Sequence, residues 1–274
     1  MSVSRIKTLA IAGLLLINAF FLAMIILDSA ADARTEREAL DNLCAILQSN
    51  GIIVSPGEID ANSSIRTVRT VRDDEAESMI ASVILGETDM IDQGVIYLYE
   101  NEERGVVEFA SAGDFEIRLN PGVITSSGDA LRTSQRLLSE MGIETSKFVS
   151  GLIPGGEAIK AVSTYRGLDI FNCSIEFIYI GESLGVVRGR YITGIESLED
   201  SQPISSVSTA LLGFLAAVMR GEHDCERIYS VEAGYHHRTT GAIGEGMLAP
   251  AWLLDTNTGT YIVDDTTGEV RVMG

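Results

Sequence analysis

Gly181-Glu-Ser183-Leu-Gly185 has the spacing of a nucleophile elbow, in which a serine on a tight turn between strand and helix is raised for acyl transfer. The apolar run from Ile175 to Ile180 supplies the strand before such a turn. The residues after the turn do not supply the helix. Val186-Val-Arg-Gly-Arg-Tyr191-Ile192 alternates with the period of a strand, so Gly181 to Gly185 is read as a hairpin turn and Ser183 as one of its polar residues. The base that Ser183 would need is His236 or His237, and a membrane-anchored wall hydrolase or esterase using Ser183 stands as the alternative activity.

His223-Asp224-Cys225 and His236-His237 hold every histidine of the chain, and zinc is the ion they would suit. Their spacing argues against it. Neighbouring residues of a strand point to opposite faces, so His236 and His237 cannot both face one ion, and no metal or other cofactor is expected. Cys44, Cys173 and Cys225 are too few and too scattered for a disulfide framework and read as small buried side chains. Gly241 to Gly246 lacks the lysine and the strand-turn-helix setting of a phosphate loop. No carboxylate pair stands out as a general acid and base on so acidic a chain, and the Asn62 and Asn172 glycosylation triplets carry no weight.

The element that organises these residues lies at the start. Arg5 and Lys7 precede an apolar run from Leu9 to Leu27, with Asp28 and Asp32 beyond it. At about 1.5 Å per residue such a helix crosses a ~30 Å hydrocarbon core, and the basic flank predicts an inside N-terminus and an extracytoplasmic remainder. The expected layout is a cytoplasmic N-terminus (1–8), a transmembrane anchor (9–28) and a linker (29–36). A secretory signal has a shorter apolar region, although Ala31-Asp32-Ala33 fits a cleavage pattern. Asn18 is the one strongly polar side chain of the run, and Ala19 and Ala23 place small residues one turn apart, which suits contact with another membrane helix. The formal charge of −19 argues against nucleic acid as a partner.

Beyond the linker the pattern is α+β: helix packed on antiparallel sheet, in a first domain over 36–125 and a second over 126–274. Helices are expected over Glu36 to Asn50, Asp73 to Gly86 (inner face Ala76, Met79, Ile80, Val83), Ser126 or Ser127 to Met141, and from Pro203 to about Met219. Strands are expected at Ile52 to Val54, Ile65 to Val71, Gly94 to Tyr99, Val106 to Phe109 and Phe115 to Leu119. Further ones fall at Ile159 to Tyr165, Asp169 to Ile180, Leu184 to Ile192, Arg227 to Ala233 and Ala251 to Leu254, with a last hairpin of Gly259 to Asp264 against Glu269 to Met273. Ala39-Leu40, Leu47 and Gly51-Ile52 share a frame with Ala130-Leu131, Leu138 and Gly142-Ile143, which points to a repeated helix-then-sheet unit.

Both ends of the chain resemble one family. Ser4-Arg-Ile-Lys-Thr8 with Asn18-Ala-Phe-Phe-Leu22 resembles the start of YycI and YycH proteins. Leu248-Ala-Pro250-Ala-Trp252, the strand bearing Tyr261, and Thr267-Gly268-Glu-Val270 resemble the YycI ending. That resemblance implies two PepSY-like α+β units behind one crossing, with Pro250, Trp252, Tyr261 and Gly268 as structural positions and no catalytic residue. It also implies a membrane-anchored regulator at the Gram-positive cell surface. Its partners would be a WalK-like sensor histidine kinase, met through the transmembrane helix, and a YycH-like protein, met through the outer domains, within the two-component control of cell-wall metabolism. A passive surface scaffold is the remaining reading.

Overall fold

The computed structural model describes residues 38–55, 57, 59, 65–110, 113–198, 203–240, 244–265 and 267–273. The expected anchor, its flanking Arg5 and Lys7 and the contact residues Asn18, Ala19 and Ala23 lie outside the described residues. Among those described, no helix is long and apolar enough to cross a membrane. The chain divides into two compact units after Glu58.

The first unit contains α1 (38–49), which buries Leu40, Leu43 and Leu47 at helical spacing. Gly51, at φ 85°, ends it and lets the Ile52 amide return to the Leu47 carbonyl at 3.0 Å. The strand expected at Ile52 to Val54 is a single bridge at Ile53, because the chain makes only one ladder contact there.

The second unit is α+β, with a large, mainly antiparallel sheet. It opens with β1 (Val68–Val71) and α2 (Asp74–Leu85), followed by the meander β2 (Asp89–Asp92), β3 (Ile96–Asn101), β4 (Gly105–Ala110) and β5 (Asp114–Leu119). Next come α3 (Ala130–Glu140) and a second meander, β6 (Thr145–Ile153), β7 (Gly156–Tyr165), β8 (Leu168–Ile180) and β9 (Ser183–Arg190). After β10 (Gly194–Ser197), α4 (Val207–Met219) precedes a third meander, β11 (Ile228–Thr239), β12 (Gly246–Thr256), β13 (Gly259–Asp264) and β14 (Val270–Val272). One helix followed by four antiparallel strands thus occurs three times.

The helix starts follow from capping. Asp73 accepts the Glu75 and Ala76 amides, Asp129 that of Arg132, and Ser206 that of Thr209. The starts expected at Ser126 or Ser127 and at Pro203 are therefore corrected to Asp129 and Ser206, and Pro203 instead bridges Arg66. The inner face of α2 is also corrected. Glu77, Ile80, Ala81 and Ile84 are buried, while Met79 is 48% exposed. Helical spacing takes Glu77 inside with its counter-ion, Arg72 from the end of β1, at 2.8 Å. The helix-repeat frame holds at its C-terminal end, where Gly142 (φ 70°) and Ile143 close α3 as Gly51 and Ile52 close α1. It does not hold at the other end: Leu40 is buried but its counterpart Leu131 is exposed.

The first two meanders join through their last strands, β5 against β9, with Ile117 opposite Val187. α2 and α3 cover one face and share a core with Val107, Ile117, Phe177 and Tyr179. β8 links this sheet to the third meander: its second half pairs β9, and near its start Ile170 lies parallel to Tyr235 of β11. On the third meander α4 lies on the Tyr261 face, with Phe214 5.2 Å from the Tyr261 ring. Neither α2, α3 nor α4 lies on the opposite face, and a depression opens on it.

Candidate functional site

Strand alternation sets the floor of this depression. Register places Gly234 opposite Ala251 and His236 opposite Ala249, with Leu253 opposite Ile262 and Ile262 opposite Arg271, all on the face away from α4. Three of the central positions are therefore glycine or alanine. The Phe171 ring of β8 lies over that hollow so closely that a Cβ on Gly234 would meet Phe171 Cζ at 2.5 Å and the Asp169 carbonyl at 2.6 Å. Phe171, Ala251 and Ile262 form a small core with Leu253 and Met273.

Above this floor opens a groove of about 330 Å³, with Phe171, Ile262 and Met273 as its apolar part and Lys160, Ser174, His236 and Arg271 among its polar part. It continues past Lys160, Asn172 and Ser174 into a shallower trough bordered by Glu176, Arg188 and Arg190. Asn172 is spoken for: its amide group donates to the His237 carbonyl and accepts the His237 amide, both at 2.8 Å, which ties β8 to β11.

The charges of the groove are largely neutralised in pairs. Arg188 holds Glu176 at 2.8 Å, Arg190 holds Asp114 at 2.8 Å, Arg271 holds Glu269 at 2.5 Å, and Arg238 lies against Asp264. Lys160 is in no ion pair among the described residues. Burial, with the Arg238, Arg271 and Arg190 charges, lowers the His236 pKa, so at neutral pH the groove presents an uncharged imidazole.

His237 points to the other face, as strand alternation requires. Its Nε2 lies 3.3 Å from Thr70 Oγ1, and burial with the nearby Arg190 charge lowers its pKa to about 4. Space for about one water lies there, between Thr70, Arg72, Glu77 and His237. Glu77 is 2% exposed, and burial raises its pKa despite the opposing effect of Arg72.

No family model and no curated protein matches this chain. Among solved structures it is similar to an uncharacterised protein from Eubacterium rectale, 10% identical, with a TM-score of 0.49 over 81% of this chain and 93% of that one. It is also similar to the Bacillus megaterium YpeB C-terminal domain, 12% identical, with a TM-score of 0.34 over 75% of this chain and 99% of that one.

Ser183 stands at the β8–β9 hairpin after Gly181 (φ 58°), where its Oγ accepts the Gly122 amide at 2.8 Å. A strand comes after it, as its alternating sequence predicts, so the geometry is that of a turn and not of an elbow. His223 packs edge-on against Tyr261 at 5.0 Å, near Cys225 in sequence but engaged with an aromatic ring. No group of three or more metal-ligating side chains occurs among the described residues. The three thiols are free, and burial raises the Cys173 pKa to about 12.

The closing pattern is structural in detail. Pro250 sits where β1 has ceased to pair with β12, at Leu248, and β13 has yet to begin, at Ala251. Its carbonyl accepts the Asp265 amide at 3.4 Å on that edge, so its missing N–H faces the gap between two partner strands and leaves no ladder bond unmade. Trp252 is fully buried. Tyr261 contacts Phe214 and hydrogen-bonds Thr258 at 3.1 Å. Gly268, at φ 67°, makes the β13–β14 turn and donates to the Asp264 carbonyl at 2.8 Å.

The groove is what sequence reasoning missed. Its signal was the small set Gly234, Ala249 and Ala251, but Gly234 is 15 or more residues from the two alanines along the chain and meets them only through strand register.

Proposed function

We propose that this chain is a membrane-anchored extracytoplasmic regulator of the YycI type. It holds a sensor histidine kinase in one signalling state through its transmembrane helix and meets a YycH-like partner through its PepSY-like units. The observation that most supports this reading is the recurrence of one helix on a four-stranded antiparallel meander, which occurs three times where the terminal motifs imply two such units behind a single crossing. Ser183 in a hairpin turn also favours binding over acyl transfer.

Regulation requires tighter binding to one kinase state than to the other. An interhelical hydrogen bond from Asn18, at about 1 kcal/mol, shifts the ratio of states about fivefold, and close packing at Ala19 and Ala23 adds to it. The pairing is tested by capturing the tagged full chain from membranes with its anchor intact. The expected result is co-purification of a two-component kinase, reduced when Asn18 and Ala19 are both leucine and unchanged in Ser183→Ala. Equal capture by the leucine variant would refute contact through that helix.

A further inference from the structure

We propose that the groove between β8 and β14 binds a small amphiphilic monoanion, an organic carboxylate with a short apolar chain. This site is independent of the anchor and of any kinase.

The charge pattern selects the sign and number of charges. In and beside the groove stand Lys160, Arg238 and Arg271 against Asp264 and Glu269, which leaves one surplus positive charge on a chain whose formal net charge is −19. The surplus is assigned to Lys160 because Arg238 lies against Asp264 and Arg271 holds Glu269. A monoanion completes this arrangement; a dianion would meet the two carboxylates without a further cation to match. A cation would add to the surplus.

The floor selects the rest of the ligand. Phe171, Ile262 and Met273 give an apolar lining, whereas Val272, paired with Tyr261, turns to the other face of β14. The volume of about 330 Å³ lies at the small end of the ~300–1,000 Å³ range of small-molecule sites. A chain of several carbons fits it and a folded macromolecular segment does not. With Asn172 committed to the His237 backbone, Ser174 and the neutral imidazole of His236 are the remaining polar side chains that line the groove without an ionic partner.

The architecture holds these groups in place before any ligand arrives. Lys160 is on β7, directly opposite Glu176 of β8, and Arg271 is opposite Ile262 of β13, so the two cations stand on separate meanders. The Asn172 amide fixes β8 to β11 between them. A preformed site loses little ordering entropy on binding, which favours a small ligand.

The test is calorimetric titration of the full chain, in detergent-free nanodiscs, with octanoate. Parallel arms use octyltrimethylammonium, acetate and inorganic phosphate. Saturable one-to-one binding of octanoate is expected, with acetate and phosphate much weaker and the quaternary ammonium not binding. Lys160→Gln should weaken octanoate about tenfold, the effect of one charge-assisted contact, and Met273→Asp should weaken it by a similar factor. Lys160 is exposed and Met273 lies just beyond the end of β14, and folding of both variants is checked by the unchanged fluorescence of Trp252. Equal binding of the cationic amphiphile, or full affinity in Lys160→Gln, would overturn the site as an anion receptor. Phosphate binding as tight as octanoate would overturn the role of the apolar floor, and absence of octanoate binding would overturn the proposal entirely.

Discussion

Replacing Arg72 with alanine tests how the first helix of the sheet unit is held to its strands. The Arg72 guanidinium donates to Glu77 Oε2 at 3.1 and 2.8 Å and to the carbonyls of Val95 and Phe109 at 3.2 and 3.3 Å, and it stacks 3.5 Å from the Tyr97 ring. Its removal leaves Glu77, 2% exposed, as an uncompensated buried charge. Breaking a buried pair on one side costs about 3–5 kcal/mol, which for a unit of this size is a fall in Tm of about 6–20 °C. The fall depends on pH. Burial already raises the Glu77 pKa, and loss of Arg72 raises it further. A carboxyl with a raised folded pKa favours the folded state fully below its unfolded pKa of about 4.3, and that contribution is lost as pH rises through the folded value. The deficit of Arg72→Ala relative to the parent is therefore greatest at pH 7 and shrinks towards pH 4.5. Trp252, the one tryptophan and fully buried in the sheet unit, reports this melt by its fluorescence. A Tm loss under about 3 °C, or an equal loss at both pH values, would refute the account of the pair.

Two further substitutions probe the junction of β8, β11 and β1. The His237 pKa is lowered to about 4, so the stability it lends is complete above its unfolded pKa of about 6.5 and is lost as pH falls towards 4. That amounts to about 2 kcal/mol by pH 5, and His237→Gln should flatten this part of the pH profile in urea titrations; an unchanged slope would show that His237 titrates freely. Gly234→Val sets a side chain against Phe171 and the Asp169 carbonyl and should cost about 1–3 kcal/mol by overpacking. Hydrogen exchange should quicken at Tyr235 and Ile170, the parallel pair beside it, and parental protection there would contradict the close packing.

Strong local periodicity makes most of the fold legible. The β8 alternation, with Cys173, Ile175, Phe177 and Tyr179 buried in turn, is plain in the sequence, and so is the apolar stripe of α4. β6 escapes such reading because Thr145–Ile153 has no alternation: as an edge strand pairing only with β7 it leaves Leu152 94% exposed. β2 is exposed throughout and equally featureless. The α2 face departs from its apolar pattern because a charged residue lies on the inside. Glu77 is there only because Arg72, five residues earlier, accompanies it.

The site is less legible than the fold for a related reason. Strand geometry alone sets His236 and His237 on opposite faces, and the alternation after Ser183 alone gives its hairpin. The groove joins β7, β8, β11, β13 and β14, so its lining is defined by cross-strand register and not by any contiguous motif. Pro250 lies between these cases: its residue type announces an irregularity in a strand, and only the gap between β1 and β13 explains why β12 tolerates it.

The central claim is regulation through the anchor helix, and the fraction of phosphorylated response regulator in living cells tests it most directly. Cells lacking this chain should show a changed fraction, restored by the parental chain and by Ser183→Ala. The chain with leucine at both Asn18 and Ala19, present in the membrane at parental abundance, should fail to restore it. A fraction that is the same with and without the chain would contradict regulation altogether, and full restoration by the leucine variant would contradict the helix as its route.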